Sequence, residues 1–454
     1  MKKILVLIVT ILLFSLCLFI PFLKEKQLNV ILISVDTLRA DHMGVYGYSK
    51  NTTPNIDAWA KNAQVYKNVY TPIPFTYPSI SSLMTGMHPF ETKIFSNVTG
   101  PFISPEVPTL AKKFKSQGYT NIAYVTNRFI GPSLTNLKAG FDEFHFFDSF
   151  GLWKRQENRV TYENLIQQAA QTIKKNKNKK QFVWIHLMDP HLPYFPPQNT
   201  RCKFNQNYCE YLSGKTIEEL SDEGNQFRGC GKQTIPMDKL ELFQTLYDGD
   251  VATADFLVGK ILNAVRSAGL DKKSIIIIYG DHGEGFDHNY NFHHGDVLYQ
   301  SAVRIPLIIK APNIGGKNIS TMLENRDFYS KILELAGLSE RRFESFSFQN
   351  PFKKRYIYFS NKTATKFAVF DGRYKYIYSL KNACLFKNEA EELYDLGNDP
   401  SETTNLISHQ KKRAEDLRHT LFTELAKYNL PASLEKPNID NQENVLRDLK
   451  SIGY

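Results

Sequence analysis

The chain has 454 residues, a formal net charge of +10 and a hydrophobic fraction of 42%. This composition supports a substantial buried core and excludes a chain that is disordered throughout. The basic balance is not accompanied by a zinc-knuckle, ribonucleoprotein or basic-zipper pattern, so we expect no nucleic-acid partner. The length allows one large domain or two modest ones.

The first residues predict a membrane anchor. Residues 4–23 form an uncharged apolar run that is long enough to span a bilayer as a helix. Lys2 and Lys3 precede this run, which agrees with an N-terminus inside the cell, and no A-x-A-like cleavage site follows it. We therefore expect an uncleaved signal anchor within residues 1–28. The rest of the chain would then lie outside the cytoplasm, in the periplasm or at the cell surface, with cleaved secretion as the alternative.

Four cysteines follow the anchor: Cys202, Cys209, Cys230 and Cys384. In an exported protein, four cysteines can form two disulfides. Cys202 and Cys209 are close enough in sequence to close a small loop, but the connectivity stays open. Because no C-x-x-C pair occurs, we do not expect a structural zinc site.

Apolar runs and helical patterns alternate through most of the chain. Strands buried on both faces of a sheet are predicted for residues 29–35, 121–126, 181–187, 274–279 and 305–310. Helices are predicted for residues 57–63, 110–117, about 161–180 and 240–268. The polar stretch 199–233 shows no strong period and is interpreted as an excursion near the ligand-binding edge. This alternation predicts an α/β fold with a doubly wound, mostly parallel sheet.

The pattern changes near residue 356. The runs 356–360, 367–370 and 374–378 are short and closely spaced, and Asp371-Gly372 between the last two is a hairpin signal. A helix is predicted for residues 410–427. We therefore expect a main domain over residues 29–350 and a small antiparallel C-terminal subdomain over residues 351–454.

The stretch 73–89 contains a candidate nucleophile, Thr76. Pro78 suits the first turn of a helix and Gly86 suits its C-terminal end, so Thr76 would lie at the helix N-terminus. Free backbone N–H groups and the helix dipole favour an anion there. A hydroxyl at such a position can attack a phosphate or sulfate ester. The alternative is that Thr76 is only an N-cap.

Polar residues follow three of the predicted strands. Asp36 follows the first, Asp189 and His191 follow the strand at 181–187, and Asp281-His282 follow the strand at 274–279. The carboxyl ends of strands in a doubly wound sheet meet at one edge, where ligands bind. We therefore expect these side chains to converge on a single site.

The residue types at these strand ends are typical of a metal centre. Asp36 and Asp281 offer oxygen ligands to a divalent cation and His282 adds a nitrogen ligand; we call these three the strand-end ligands. The cation would hold the Thr76 oxygen and lower the pKa of its hydroxyl. His294, further along the chain, and His191 could contact the ester oxygens or protonate the leaving group.

At this point the chain resembles the sulfatases of the alkaline phosphatase superfamily. The resemblance includes the motifs DTLRADH, HLMDPHLPY, DHGE and the final LKSIGY, and it runs in the family's order after the anchor. The matching residues are 29–42, 46–48, 52–57, the Thr76 segment, 141–142, 186–194, 281–284, 294–299, 304–306, 392–395, 399–400, 405–406 and 449–454. The resemblance implies a metal-dependent hydrolase that uses the strand-end ligands for the metal, Thr76 as nucleophile, and His191 and His294 for the sulfate or phosphate oxygens.

The nucleophile departs from the family pattern. Sulfatases carry Cys or Ser within a C/S-x-P-x-R motif and convert it to formylglycine, whereas this chain has Thr76, and Ile80 stands at the arginine position. Threonine cannot form formylglycine. It resembles instead the nucleophile of phosphodiesterases and of phosphoethanolamine or glycerophosphate transferases, which usually hold two zinc ions. A second metal site would use Asp189, His191 and His294.

We therefore predict a sulfatase-family, metal-dependent hydrolase of sulfate or phosphate esters that acts outside the cytoplasm. One calcium- or magnesium-like ion is favoured, with zinc or manganese, or two ions, as alternatives. The substrate would be a sulfated or phosphorylated glycan, lipid or small molecule. Two alternatives stay open: a membrane-anchored phosphodiesterase or phosphoethanolamine- or glycerophosphate-type transferase, and a non-catalytic binding protein on the same fold.

Overall fold

A computed structural model describes residues 28–98, 100–148, 156–230, 233–338, 355–380 and 390–430. The predicted anchor (apart from Leu28), Cys384 and the final LKSIGY segment lie outside the described residues. Across the described ranges, no helix has both the length and the apolar character that crossing a bilayer requires.

Eight strands form one central sheet with the order β10-β2-β9-β6-β1-β5-β3-β4. The first ten strands of the chain are β1 (Asn29–Val35), β2 (Gln64–Tyr70), β3 (Thr120–Val125), β4 (Glu143–Phe146), β5 (Gln181–Leu187), β6 (Ser274–Gly280), β7 (Phe286–Asp287), β8 (Tyr290–Asn291), β9 (Leu307–Lys310) and β10 (Lys317–Glu324). Only β9 pairs antiparallel with its neighbours in this sheet, while β7 and β8 form a separate ribbon. The predicted mostly parallel sheet is confirmed.

Helices cover both faces of this sheet. In chain order, the α-helices of the described residues, including those of the excursion and the C-terminal part, are α1 (Pro54–Ala60), α2 (Thr76–Thr85), α3 (Pro89–Thr92), α4 (Leu110–Ser116), α5 (Gln156–Lys175), α6 (Gln198–Arg201), α7 (Cys209–Ser213), α8 (Ile217–Asn225), α9 (Met237–Ser267), α10 (Gln300–Val303), α11 (Asp327–Leu335) and α12 (Lys411–Ala426). Successive side chains of a strand point to opposite faces. Ile31 and Ile33 of β1 therefore pack in the core that contains α9, and Val30 and Leu32 pack in the core that contains α2.

Several elements were not predicted because they lack a strong apolar signal. Strand β10 is exposed along most of its length and β4 is only partly buried. The excursion at 199–233 contains three short helices, of which α8 begins with a capping box between Thr216 and Glu219, a recognisable signal in the sequence. Cys202 and Cys209 form a disulfide within this excursion, and Cys230 is also disulfide-bonded.

The C-terminal part forms a second, antiparallel sheet in the order β11-β12-β13-β14. Its strands are β11 (Ile357–Ser360), β12 (Lys366–Phe370), β13 (Tyr374–Ser379) and β14 (Glu391–Asp395). The predicted hairpin at Asp371-Gly372 joins β12 to β13, and Gly372 has a φ of 97°, which glycine adopts at little cost. Helix α12 packs its apolar face against this sheet.

A buried charge pair joins the C-terminal sheet to the main domain. Lys375 on β13 has no exposed side-chain surface and pairs with the buried Glu402. Its Nζ also donates to the carbonyl oxygen of Leu298 at 2.7 Å, and Glu402 accepts from the backbone N–H of Gln300 at 2.6 Å. The pair therefore holds the segment that follows His294.

We expect Lys375→Met to lower the free energy of unfolding by about 3–5 kcal/mol, because it leaves the Glu402 carboxylate buried without its partner. Urea denaturation of the full chain measures this loss. Adding Glu402→Gln should recover part of it, since a Gln oxygen can still accept from the Gln300 N–H. A loss below about 1 kcal/mol, the size expected of an exposed pair, would contradict the proposed contribution of this pair.

Candidate active site

The structure brings the three polar strand ends together. Strands β6, β1 and β5 are adjacent and parallel, so their carboxyl ends lie at one edge of the sheet. The backbone N–H of Asp36 donates to Leu187 at the end of β5, at 2.9 Å. The N–H of Asp281 donates to Val35 at the end of β1, at 3.3 Å.

Thr76 is the first residue of α2 and is buried at this edge. The N-cap position is Phe75, and no side chain caps the helix there. The alternative that Thr76 serves only as an N-cap is therefore wrong. Its Oγ1 instead lies 3.3 Å from Nε2 of His282, which places the hydroxyl among the strand-end ligands.

The start of α2 offers fewer free N–H groups than we expected. The N–H of Tyr77 donates to Oδ1 of Asn97 at 2.7 Å, and Pro78 has no N–H. The expectation that several free backbone N–H groups at this helix start would bind an anion is therefore wrong for Tyr77 and Pro78. The hydroxyl of Ser79, in the first turn of α2, donates to the carbonyl oxygen of Asp281 at 2.6 Å and so fastens the helix start to the strand end.

The strand-end ligands fit a divalent cation. Oδ1 of Asp36 and Oδ2 of Asp281 are buried carboxylate oxygens without a hydrogen-bond partner. Nε2 of His282 lies 3.7 Å from the first and 3.6 Å from the second. Nδ1 of His282 donates to the carbonyl oxygen of Gly283 at 2.9 Å, which leaves a lone pair on Nε2. Two unpartnered carboxylate oxygens, an imidazole lone pair and a hydroxyl are a donor set that a divalent cation satisfies.

Two further residues contact Asp36. Its Oδ2 accepts from Nδ2 of Asn127 at 2.6 Å and lies 3.2 Å from Nε2 of His186. Ligand atoms of Asp36, His186 and Asp281 also lie within 4.8 Å of one another. Neither His186 nor Asn127 was predicted. His186 could have been found from the strand alignment, because it pairs in register with Ser34 on β1, two residues before Asp36.

The carboxylates carry opposite pKa shifts. Burial raises the pKa of Asp281 well above its ordinary value, and the negative charge of Asp36 raises it further. Burial also raises the pKa of Asp36, but the charge of His191 and the hydrogen bond to His186 outweigh it, so that pKa is lowered. Because burial and the charge of Asp36 both disfavour the ionised form of Asp281, a bound positive charge would stabilise its carboxylate more than that of Asp36.

His191 and His294 form the other side of this site. Their ring centroids lie 5.2 Å apart, and the His294 ring lies 4.3 Å from the His282 ring. Burial lowers the pKa of His191 to about 4. Burial and then the charge of His282 lower the pKa of His294 well below its ordinary value. Both rings are therefore neutral at neutral pH, which is the state that a general base needs.

Glu284 holds His294 in one orientation. Nδ1 of His294 donates to the buried Oε1 of Glu284 at 3.2 Å, and Nε2 of His294 is buried without a hydrogen-bond partner. The carboxylate therefore selects the tautomer with its proton on Nδ1 and leaves Nε2 as an acceptor toward the site. Glu284 belongs to the DHGE motif, but its sequence position did not reveal this role.

Asp189, one of the three residues proposed for a second metal, pairs with an arginine. Oδ1 of Asp189 accepts from Nη1 of Arg159 at 3.1 Å, and its side chain is fully buried. In the chain as far as it is described, the metal-competent group is Asp36, His186 and Asp281 rather than a set built on Asp189.

The C-terminal subdomain also reaches the site. The backbone N–H of Lys362 donates to the carbonyl oxygen of Gly295 at 2.7 Å. Its Nζ lies 3.2 Å from Nε2 of His293 and 3.3 Å from a carboxylate oxygen of Asp296, and 5.3 Å from the ring centre of Phe75, the residue before Thr76. Lys362 lies in the loop between β11 and β12, where nothing in the sequence indicated a site residue.

Gly283 allows a close backbone contact beside the strand-end ligands. A Cβ at this position would lie 1.8 Å from the carbonyl oxygen of Ser301. We expect Gly283→Ala to lower the free energy of unfolding by about 1–3 kcal/mol, because the backbone must shift to remove the overlap. Gly315→Ala is the matched control, since no atom lies within 4 Å of its added Cβ. Equal effects of the two substitutions in urea denaturation would contradict this interpretation.

Comparison with known proteins assigns the family. A family model described as Sulfatase matches residues 28–338. A second, described as N-sulphoglucosamine sulphohydrolase, C-terminal, matches residues 288–430. The chain is 26% identical to an arylsulfatase of Clostridium perfringens, over 87% of this chain and 94% of that protein. It is 23% identical to the phosphoethanolamine transferase EptC of Escherichia coli, over 58% of this chain and 40% of that protein.

Solved structures share this fold, among them one described as a 2-O GAG sulfatase, which matches with a TM-score of 0.68 and 19% identity over 92% of this chain and 96% of that one. The structure of BT4656 in complex with its substrate, D-glucosamine-2-N,6-O-disulfate, matches with a TM-score of 0.68 and 17% identity, covering 91% of this chain and 100% of that one. This likeness shows the shared fold, whereas the Sulfatase family match, which covers more than half of the chain, shows the relationship. The chain therefore belongs to the sulfatase family of the alkaline phosphatase superfamily and is an ester hydrolase of sulfatase type.

Proposed function

We propose that this protein is a metal-dependent hydrolase of sulfate or phosphate esters in which Thr76 is the nucleophile. The observation that carries this proposal is the position of Thr76 Oγ1, 3.3 Å from Nε2 of His282, beside two buried carboxylate oxygens that have no hydrogen-bond partner. A buried hydroxyl in this setting has no capping function to explain it. Alcohol nucleophiles need activation of this kind at neutral pH.

In the proposed first step, the Thr76 oxygen forms a bond to the sulfur or phosphorus of the ester. Its hydroxyl proton passes to Nε2 of His294, while Glu284 holds Nδ1–H. The bond from sulfur or phosphorus to the leaving oxygen breaks with its electron pair on that oxygen, which takes the proton from Nε2. The product of this step is a free alcohol and an ester on Thr76.

In the proposed second step, water releases the group from Thr76. Nε2 of His294 takes one proton from the water, the new bond forms at sulfur or phosphorus, and the bond to Thr76 breaks. The Thr76 oxygen then recovers the proton from Nε2. We assign to His191 and Lys362 the binding of the anionic oxygens of the ester during both steps.

The strand-end ligands would hold the cation. A divalent ion bound there lowers the pKa of the Thr76 hydroxyl and screens the charge of the ester. The carboxylate and hydroxyl oxygens agree with the calcium- or magnesium-like ion favoured from the sequence. The nitrogen ligand from His282 instead suits the alternatives, manganese or zinc, because calcium and magnesium prefer oxygen ligands. Elemental analysis of protein purified without chelators measures which ion is present.

We infer an anionic ester as substrate and action outside the cytoplasm. Two similar proteins support a sulfated aryl or sugar compound as the substrate. One is an arylsulfatase, and the other was solved with a disulfated glucosamine bound. Two lysines and a 20-residue apolar run at residues 4–23 support an N-terminal anchor. Fractionation of cells that express the full chain, followed by protease treatment of intact cells, tests this location.

A transferase is the second candidate. Two observations favour it: Thr76 stands where sulfatases need the precursor of formylglycine, and the chain matches part of a phosphoethanolamine transferase. In this case an alcohol, rather than water, would take the phosphorus group from Thr76. Product analysis with an added alcohol distinguishes the two, since a hydrolase releases the free anion and a transferase forms the new ester.

The substrate class is tested by assaying the full chain on an aryl sulfate, an aryl phosphomonoester and an aryl phosphodiester. We expect one class to be hydrolysed in a metal-dependent manner, with activity lost on chelation and restored by adding the cation. Activity on one class that survives complete removal of metal would contradict the proposed mechanism.

A further inference from the structure

A chain of hydrogen bonds runs through the core to Asp36. It consists of Trp184, Ser34, His186 and Asp36, which lie on the adjacent strands β5 and β1 or at their ends. All four side chains are fully buried. We call this set the Trp184 chain. No step of the proposed reaction uses Trp184, Ser34 or His186, so their arrangement needs a separate explanation.

The direction of the first bond follows from its donor. The indole N–H of Trp184 can only donate, and it lies 3.0 Å from Oγ of Ser34. Ser34 therefore accepts at this bond, and its own hydroxyl proton goes elsewhere. Two acceptors lie at hydrogen-bond geometry: Nδ1 of His186 at 2.9 Å and the carbonyl oxygen of Ile185 at 3.4 Å. The Tyr279 hydroxyl also interacts with Ser34, but it forms no hydrogen bond by geometry. Since O–H···O bonds are usually about 2.5–3.0 Å long, the proton of Ser34 points to His186.

The tautomer of His186 follows from this bond. When Nδ1 accepts a hydrogen bond, a neutral imidazole carries its hydrogen on Nε2. Nε2 of His186 then donates to Oδ2 of Asp36, 3.2 Å away. Oδ2 also accepts from Asn127 at 2.6 Å. That oxygen thus has two donors, whereas Oδ1 of Asp36 has none.

His282 has the opposite arrangement. Its Nδ1 lies next to a carbonyl oxygen, that of Gly283 at 2.9 Å, and must donate. Its Nε2 therefore carries the lone pair and can bind a cation, whereas Nε2 of His186 carries a hydrogen and cannot. The two histidines nearest to Asp36 are distinguished by what contacts Nδ1 of each ring.

We propose that the Trp184 chain makes His186 a positioning residue, which holds Oδ2 of Asp36 and turns Oδ1 toward the cation. His186 is then not a metal ligand, although its nitrogen lies close enough to be one. This proposal rests on the metal site of the proposed function. Residues that orient a metal ligand in this way typically contribute about 10- to 100-fold to metal affinity.

The test is the manganese affinity of the full-length chain, measured by calorimetry for Ser34→Ala and Thr126→Val. Each substitution removes one buried hydroxyl beside His186. Ser34 contacts the ring at Nδ1, whereas Thr126 donates to the backbone oxygen of His186 at 2.7 Å. We expect Ser34→Ala to weaken binding by about 10- to 100-fold and Thr126→Val to leave it unchanged. Equal affinities for wild type and Ser34→Ala, or equal losses in both variants, would overturn the proposal.

A second measurement does not depend on these variants. The ¹⁵N shifts of His186 in the wild-type protein, assigned by comparison with His186→Gln, report which ring nitrogen carries the hydrogen. We expect the hydrogen on Nε2, with no change when zinc is added. A hydrogen on Nδ1, or loss of the Nε2 hydrogen on zinc binding, would show that His186 is a ligand and overturn the proposal.

Failure of the proposed function gives a different result. If Thr76→Ala keeps full activity, the nucleophile is wrong, but the two measurements above still decide the role of His186. If Ser34→Ala binds manganese as tightly as wild type while Thr76→Ala is inactive, the positioning role is wrong and the nucleophile stands.

Discussion

Thr76→Ala is expected to lower kcat by about 10⁴-fold or more on the best ester substrate, because the proposed reaction forms its covalent ester on this hydroxyl. Removing a nucleophile from a hydrolase that works through a covalent intermediate has effects of this size or larger. Thr76→Ser should keep a substantial part of the activity, since it retains the hydroxyl. Steady-state kinetics with saturating metal measures both.

Thr85→Ala is the matched control for this substitution. Thr85 lies at the other end of α2, is as buried as Thr76, and donates to the carbonyl oxygen of Ser81 at 2.7 Å. We expect Thr85→Ala to keep kcat within a factor of a few, although it loses a hydrogen bond worth about 1 kcal/mol. An active Thr76→Ala protein, or similar losses of activity in both variants, would show that Thr76 is not the nucleophile.

Asp281→Asn is expected to abolish both activity and stabilisation by metal. In the wild type, a cation at 100 times its Kd should raise the free energy of unfolding by about 2.7 kcal/mol. In Asp281→Asn the loss of a charged ligand should reduce metal affinity by more than about 100-fold, the upper range for a residue that only orients a ligand. Thermal unfolding with and without manganese measures the difference.

Without metal, we expect the Asp281→Asn protein to be more stable than the wild type, which is the reverse of their order with metal bound. The pKa of Asp281 is raised by burial and by the charge of Asp36. A carboxyl group with a raised pKa in the folded state destabilises that state once the pH exceeds its value in the unfolded chain. At neutral pH, metal-free Asp281→Asn should therefore be more stable than the metal-free wild type. Its Oδ1 can still accept from the N–H groups of Thr37 and His282.

Asp255→Asn controls for the general effect of removing a buried carboxylate. Asp255 lies on α9 and accepts from the N–H groups of Asn55 and Ile56 at the start of α1. We expect this variant to respond to metal as the wild type does. If manganese stabilises Asp281→Asn as strongly as it stabilises wild type, the assignment of Asp281 as a ligand is contradicted.

The parts of the fold that the sequence predicts well are those buried on both faces. The predicted strands at residues 29–35 and 181–187 have the same bounds in the structure. A short, continuous apolar run is typical of a strand that is buried on both faces of a sheet. Strand β10 alternates poorly and is largely exposed, so its pairing with β2 depends on tertiary contacts that no local pattern reveals. The short helices in the excursion at 199–233 were not predicted for the same reason.

Some residues of the candidate site could be predicted from the sequence and others could not. Asp36, Asp281 and His282 could be predicted because each follows a strand end, and strand topology alone brings those ends together. Asn127 could not, because it reaches Asp36 from a loop 91 residues away in sequence. Lys362 reaches the site from the C-terminal subdomain, and its contact with His293 depends on how the two sheets pack. Tertiary packing decides such contributions, and packing is not encoded in local spacing.

The central claim is that the reacting group is carried on Thr76, and rapid-quench mass spectrometry of the full-length protein tests it most directly. The protein is mixed with its best ester substrate, quenched in acid within the first turnover and digested. We predict one sulfuryl or phosphoryl group on Thr76 in wild type and none in Thr76→Ala. A group found on another residue, or a wild-type burst of product without any modified peptide, would contradict the proposed mechanism.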